Sequence, residues 1–358
     1  MKATVIAARL ATIVAAYPMA AHSAWAQSSA GAGYPSTVGQ ICSLGTAAVG
    51  QAGSVICRDI STGAITQSIA LGDTVQGQGV TGGTLSRNGD SVLVTNEAGA
   101  AYLFEVSGGA LTGLVTLETD GASSLSGALG ARGAYVVTAK QLLFFPAGSA
   151  RASSSQPLLK GDGSAAQVTL ADGNAYVSEK GGTLEVFPLA PDGNLKSGGS
   201  PVAGIPAGTI VGITGIDGLV VAPVAHLATN ANQSVIPVAS GAETVQLVET
   251  KEVAACWTAN DDDEVCVTNP GSMTISCGRF GPGGFRSYTS AAANPVGETI
   301  LDLDMKSNLV GVLGVHGGVP VLQLYARSDD TGDFLSFIKE IPVGTAVATG
   351  ALLLPRAR

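Results

Sequence analysis

Short apolar and β-branched runs alternate with small polar turns along almost the whole chain, and no segment after the N-terminal stretch keeps a helical period. The turns carry the regularity. Asn88-Gly89, Arg132-Gly133, Asp172-Gly173 and Asp217-Gly218 are followed by the acidic turn Asp261-Asp262-Asp263 and by Lys306-Ser307-Asn308. The interval of roughly 40 to 45 residues is that of a propeller in which each repeat is one four-stranded blade. After each turn a run rich in Val, Tyr, Ile and Thr predicts a second strand, at residues 91–96, 134–139, 174–179, 219–224, 264–269 and 309–314. A third strand follows each, at 101–106, 142–146, 183–189, 234–238, 273–280 and 319–326. The chain therefore reads as all-β.

The first repeat is incomplete. Residues 40–44, 54–60 and 66–71 match second, third and fourth strands, but nothing before them supplies an innermost one. The segment 347–354 is apolar, β-prone and otherwise unpaired. Placing it beside residues 40–44 gives a seven-bladed β-propeller in which the C-terminal strand completes the N-terminal blade and buries an edge that would invite aggregation.

The N-terminus has a different character. Lys2 and Arg9, an apolar stretch and the small-x-small pattern Ala24-Trp25-Ala26 together predict a secretory signal peptide over residues 1–26. The apolar core is short for a membrane span, and no later segment is long and apolar enough to cross, so no stable membrane insertion is expected. Residues 27–36, rich in Ser, Gly and Ala, read as a flexible leader, and 37–358 as a single propeller. The expected destination is secreted, either extracellular or periplasmic.

Composition narrows the function. Acidic residues outnumber basic ones, 27 to 18, and no Lys/Arg cluster exists. A nucleic-acid partner, which needs a basic patch to displace counterions, is not expected. The chain contains no Gly-x-Ser-x-Gly elbow, no His-Glu-x-x-His helix and no phosphate-binding loop. Neither a metal nor a cofactor is expected. The acidic run at 261–264 lacks the spaced ligands and sharp glycine bend of a calcium loop and reads as a solvated turn.

The aligned blades organise the five cysteines. Cys42 and Cys266 share one place on their second strands; Cys57 and Cys277 hold near-equivalent places on the third. Opposite Cβ atoms on neighbouring strands come within disulfide reach, and an exported chain meets an oxidising environment. The expected bridges are Cys42–Cys57 and Cys266–Cys277. A Cys256–Cys266 link across the first hairpin of the same blade stays open as the alternative.

The segment Ala255-Cys256-Trp257-Thr258-Ala259, followed by Val265-Cys266-Val267-Thr268-Asn269 and Gly271-Ser272-Met273-Thr274-Ile275-Ser276, resembles a repeat of the secreted seven-bladed lactonase-like family, the 6-phosphogluconolactonase and carboxymuconate cyclase-like propellers with YVTN-type repeats. Val177-Ser178-Glu179-Lys180 with Leu184-Glu185-Val186-Phe187, and Val92-Leu93-Val94-Thr95-Asn96, are similar to further blades. The resemblance implies the seven-bladed fold and, for active members, a cluster of His, Arg and Glu at one channel mouth. Here Ala165-Ala166-Gln167 offers Gln instead of His, so no catalytic residue is carried across. The family has an Ile-Asp similar to Leu301-Asp302, implying a structural hydrogen bond from Asp302 to a neighbouring blade.

Loops joining second to third strands share a face with those leading into the innermost strands. They contain Glu97, Lys140, Glu179, Lys180, His226, Asn269 and His316, which the symmetry would place on one rim. His226 or His316 beside a carboxylate such as Glu179 could serve as a general base on water, with Lys140 steadying an oxyanion; Glu97, Lys180 and Asn269 are ligand-binding candidates. His226 sits in the longest such loop, 225–233, the kind of segment that often carries binding. Asn232-Gln233-Ser234 fits the glycosylation sequon. Trp257 is expected to pack between blades.

Three readings follow. The first is a secreted lactonase-like propeller acting as a monomeric binding or interaction scaffold for a small molecule or an extracellular protein. The second is a lactone or ester hydrolase using water activated at the channel mouth. The third is a structural envelope or matrix protein.

Overall fold

The computed structural model describes residues 37–46, 51–74, 85–96, 100–225, 234–240, 244–250, 252–281, 284–292, 299–327 and 335–356. They form seven antiparallel sheets, six of four strands and one of six, arranged as the blades of a seven-bladed β-propeller. Blade one runs outward from the innermost strand Val347–Pro355 through Val38–Thr46, Ala52–Asp59 and Ile65–Thr74. The C-terminal strand thus completes the N-terminal blade, with Gln40 opposite Leu354, Cys42 opposite Leu352 and Leu44 opposite Thr349. The innermost strands of blades two, three, four, six and seven are Leu85–Asn88, Ser124–Gly130, Ala165–Ala171, Thr258–Asp261 and Thr299–Lys306.

Tight turns make this geometry. In blades two to seven the first and second strands are joined by two residues. Asp172-Gly173 has φ of 44° and 69°, and Asp217-Gly218 has 49° and 76°. Two successive positive φ values match the right-handed twist of the strands they join, and Asp and Gly tolerate them. Second strands are covered on both faces by adjoining blades, which is why they read as unbroken apolar runs. Glu264–Asn269 is buried throughout, whereas the outer strand Ala110–Leu117 of blade two is largely exposed.

Blade five departs from the pattern. Its innermost strand is split into Thr209–Ile210 and Thr214–Ile216, and its second strand into Leu219–Val221 and Val224–Ala225. Pro223 falls in the second gap and has no N–H to give the ladder.

The core is distributed over seven seams, one apolar cluster between each pair of neighbouring blades. Trp257 packs with Met305, Val310 and Tyr325 in the seam between blades six and seven. Both expected disulfides are present, Cys42–Cys57 and Cys266–Cys277, each joining directly opposed residues with Cα atoms 4.0 Å apart. Cys256 is free, and burial pushes its thiol up to about 12.

Each seam also carries a side-chain bridge. Gln67 exchanges two hydrogen bonds with the backbone of Leu111 between blades one and two. Asn88 Nδ2 donates to Leu129 O at 3.2 Å, Val168 N to Ser126 Oγ at 3.3 Å, and Ile213 N to Gln167 Oε1 at 2.6 Å. Thr214 Oγ1 meets Asn260 Oδ1 at 2.5 Å. Arg327 of blade seven pairs with Glu264 and Asp261 of blade six. Ala351 N and Leu353 N donate to Asp302 Oδ2 at 3.1 Å and Asp304 Oδ2 at 2.7 Å, joining blade seven to the closing strand. Asp302 thus makes the inter-blade bond expected of it.

Deleting residues 347–358 leaves the strand Val38–Thr46 with a bare edge and removes the acceptor-matched amides of Ala351 and Leu353. The truncated protein is expected to lose its single cooperative thermal transition and to aggregate. A truncated chain that melts cooperatively within about 3 °C of the intact one would contradict closure by this strand.

Candidate functional site

The innermost strands enclose a central channel containing a cavity of about 290 Å³. Every blade contributes to its wall: Ser86, Gly127–Leu129, Gln167–Leu170, Ile213–Gly215, Thr258–Asn260, Asp302–Met305 and Ala351–Leu352. Small residues dominate where the strands crowd together. A Cβ on Gly215 would lie 2.1 Å from Leu170 O, so only glycine permits that approach. Inner-strand bulges at Ser124/Ser126, Ala165/Val168 and Ile300/Asp302 re-aim the side chains at the channel.

Asp302 and Asp304 are the charged groups among the described lining residues, which include no His, Lys or Arg. Both project from the same face of their strand, two residues apart. Asp302 Oδ1 accepts from Leu303 N at 2.8 Å, and its Oδ2 from Ala351 N. Burial pushes the Asp302 carboxyl up to about 7 despite these two backbone donors, with the Asp304 charge adding to the rise. Gln167, on the channel wall, spends its Oε1 on Ile213 N.

Of the residues expected at one rim, those described stand on four blades, Glu179 and Lys180 on the same one, and they do not line the cavity. Lys140 is exposed at the end of blade three's second strand. Lys180 is partly buried, its N–H donating to Ser164 O at 2.8 Å. Asn269 is buried, its Nδ2 donating to Thr274 Oγ1 at 3.0 Å and Ser276 Oγ at 2.7 Å. His316 Nδ1 lies 3.0 Å from Glu340 Oε1. Glu340 accepts in turn from Gln323 Nε2 at 2.9 Å, and Gln323 Oε1 accepts from Tyr325 Oη at 2.8 Å. This His–carboxylate pair belongs to the outer part of blade seven. Glu97 and His226 lie outside the described residues, as does Asn232 of the sequon.

Glu179 has a partner that sequence reasoning missed. Fully buried, it sits 3.2 Å from Lys160 Nζ, with Glu185 of the next strand diagonal to it, two positions from its direct partner Thr183. Glu185 accepts from Leu159 N at 3.0 Å. Burial, reinforced by a hydrogen bond to Glu179, pushes the Glu185 carboxyl up to about 8. Lys160 stands beside this buried pair of carboxyls. The acidic run at 261–264 is likewise only half a solvated turn: Asp262 and Asp263 are exposed, whereas Glu264 is buried against Arg327 and meets Arg279 at 2.6 Å. Among the described residues no group of three or more His, Cys, Asp or Glu could hold a metal.

The fold places the chain among known propellers. Solved structures of similar shape include the periplasmic gluconolactonase of Pseudomonas aeruginosa, at 14% identity and a TM-score of 0.63, covering 89% of this chain and 99% of that one. A candidate 6-phosphogluconolactonase from Bacteroides uniformis matches at 15% identity and 0.62, over 89% and 100% of the two chains. The WD40 propeller of Doa1 matches at 12% and 0.54, over 81% and 90%. No family model matches the sequence, and no curated protein sequence matches it. At these identities the likeness establishes the shared β-propeller fold and nothing finer.

The Glu179–Glu185 pair makes stability pH-dependent with a definite sign. The folded-state pKa of Glu185 is raised, so its contribution is fullest below the ordinary carboxylate range and is lost as pH rises through about 8. Glu185→Gln keeps a donor toward Glu179 and an acceptor for Leu159 N but has no proton to lose. Its melting temperature is expected to fall less between pH 6 and pH 9 than that of the native protein, by about 3 °C or more. Parallel melting curves would show that the Glu185 carboxyl is not raised in the folded protein.

Proposed function

We propose that the protein is an exported lactonase-like propeller that works as a binding scaffold for a small molecule and does not hydrolyse lactones. One observation carries this reading. The described channel wall holds two carboxylates, both engaged by the backbone of the closing strand, and no imidazole, ammonium or guanidinium to activate water or stabilise an oxyanion. The polar cavity speaks against a purely structural role. Export is supported by the signal-like N-terminus, by two disulfides and by likeness to a periplasmic protein.

A hydrolase is the second reading. What favours it is the named activity of the P. aeruginosa gluconolactonase and the His316–Glu340 contact. Purified protein incubated with gluconolactone and 6-phosphogluconolactone is expected to leave their hydrolysis at the buffer rate. Acceleration that His226→Ala or His316→Ala abolishes would make it an enzyme.

A further inference from the structure

One loop between blades three and four brings an amine against a carboxyl. Residues 158–164 lead from the outer strand Ser154–Pro157 to the inner strand Ala165–Ala171, and three backbone contacts fix their course. Leu158 N donates to Lys140 O at 2.9 Å, Leu159 N to both oxygens of Glu185 at 3.0 and 3.1 Å, and Lys180 N to Ser164 O at 2.8 Å. Lys160, its side chain 36% exposed, reaches in from the surface and ends 3.2 Å from Glu179 Oε2. Glycines make the room. A Cβ on Gly181 would lie 2.7 Å from Lys160 Nζ, and one on Gly199 2.5 Å from Glu185 Oε2.

Glu179 is poorly served for a buried acid. It is 0% exposed, and neither of its oxygens accepts from a backbone N–H or a hydroxyl. Glu264 is better provided, with Arg279 on one oxygen and Arg327 on the other. Charges taken out of water are costly unless hydrogen bonds satisfy them. Burial therefore favours the neutral forms, an amine facing a carboxylic acid. Those are the two partners of an amide condensation, and the fold holds them together, which removes the entropic cost of their meeting.

We propose that Lys160 and Glu179 condense to an isopeptide bond, with Glu185 as the proton carrier. Glu185 protonates a Glu179 oxygen as Lys160 Nζ attacks Cδ, then takes the proton that the new N–C bond frees from nitrogen. It next protonates one hydroxyl of the tetrahedral carbon, the C–O bond breaks and one water leaves. Glu185 recovers its proton from the remaining hydroxyl. Nothing is oxidised or reduced, and no co-reactant is consumed. The product is a covalent link between neighbouring blades, whereas each disulfide lies within one blade. The inference is independent of the scaffold reading and concerns how the ring is held.

Glu185 is placed for this role. It stands on the strand beside Glu179, diagonal to it, and hydrogen-bonds to it. Burial pushes its carboxyl up to about 8, the range in which a group both gives and takes a proton near neutrality. The other titratable groups of this corner are Asp162, exposed on the same loop, and Lys140 and Lys180 on the flanking turns.

Mass decides. The folded protein, held overnight near neutral pH, is reduced, denatured and digested with trypsin. Its predominant form is expected to yield residues 152–180 as one peptide, uncut at Lys160 and lighter by one water, about 18 Da. Fragmentation should give no backbone breaks between residues 160 and 179, which the new bond closes into a ring. Lys160→Arg is expected to abolish the loss, and Glu185→Gln to lower the linked fraction at least about tenfold. Should Glu185→Gln fail to fold, the native peptide and Lys160→Arg still decide.

Native peptides 152–160 and 161–180 at their sequence masses would overturn the proposal. So would the same loss of mass with Lys160 still cleaved, which marks a succinimide at Asp162-Gly163 or Asp172-Gly173 instead. An unchanged linked fraction in Glu185→Gln would overturn the part given to Glu185 and leave the bond. Lactone turnover, by which the scaffold reading is judged, bears on none of these results.

Discussion

The structure depends on how it treats the free edge of each innermost strand. In a ring of sheets the first strand of every blade has a pairing partner on its outer side only, so its inner N–H and C=O groups face the channel and the neighbouring blade. Left alone, these groups would be an unsatisfied edge repeated around the axis. The protein meets this with polar side chains that cross the seams. Ser126, Gln167, Asp302 and Asp304 each accept from an amide of the adjoining inner strand, while Asn88 reaches a carbonyl. Apolar packing in the seams provides the bulk of cohesion, but these bridges fix how far each blade is rotated against the next.

That requirement explains the character of the channel. A polar side chain committed to structure cannot at the same time be free to handle a substrate. Gln167 is the clearest case, since it lines the channel yet is turned to a backbone amide. Asp302 is different in degree. It bridges to Ala351 and keeps acceptor capacity, in a position where burial and Asp304 hold its proton affinity near neutrality.

Much of this architecture was legible in the chain. Turn spacing measured the blades, and the missing first strand of the first repeat identified residues 347–354 as its replacement. Equivalent places on aligned blades paired Cys42 with Cys57 and Cys266 with Cys277. The arrangement of polar groups was harder to read, for physical reasons. Glu185 lies in the run Thr183–Pro188, where alternation suggests an outward-facing acid, yet both faces of that strand are covered. Second-to-third loops do share a face, but they begin at the ends of second strands, one strand out from the axis, so Lys140, Asn269 and His316 occupy the periphery of separate blades. The bulge at Ile300/Asp302 shifts the alternation locally, which hides from periodicity the wall positions of Asp302 and Asp304.

The pairing of residue 38 with residue 355 sets a limit on the order of assembly. Synthesis makes blades two to seven available one after another, each a hairpin array of local contacts. The ring, however, stays open until residues 347–355 have been made, because they pair with residues 38–46 to form its clasp. Throughout elongation the nascent chain is an arc with two raw ends.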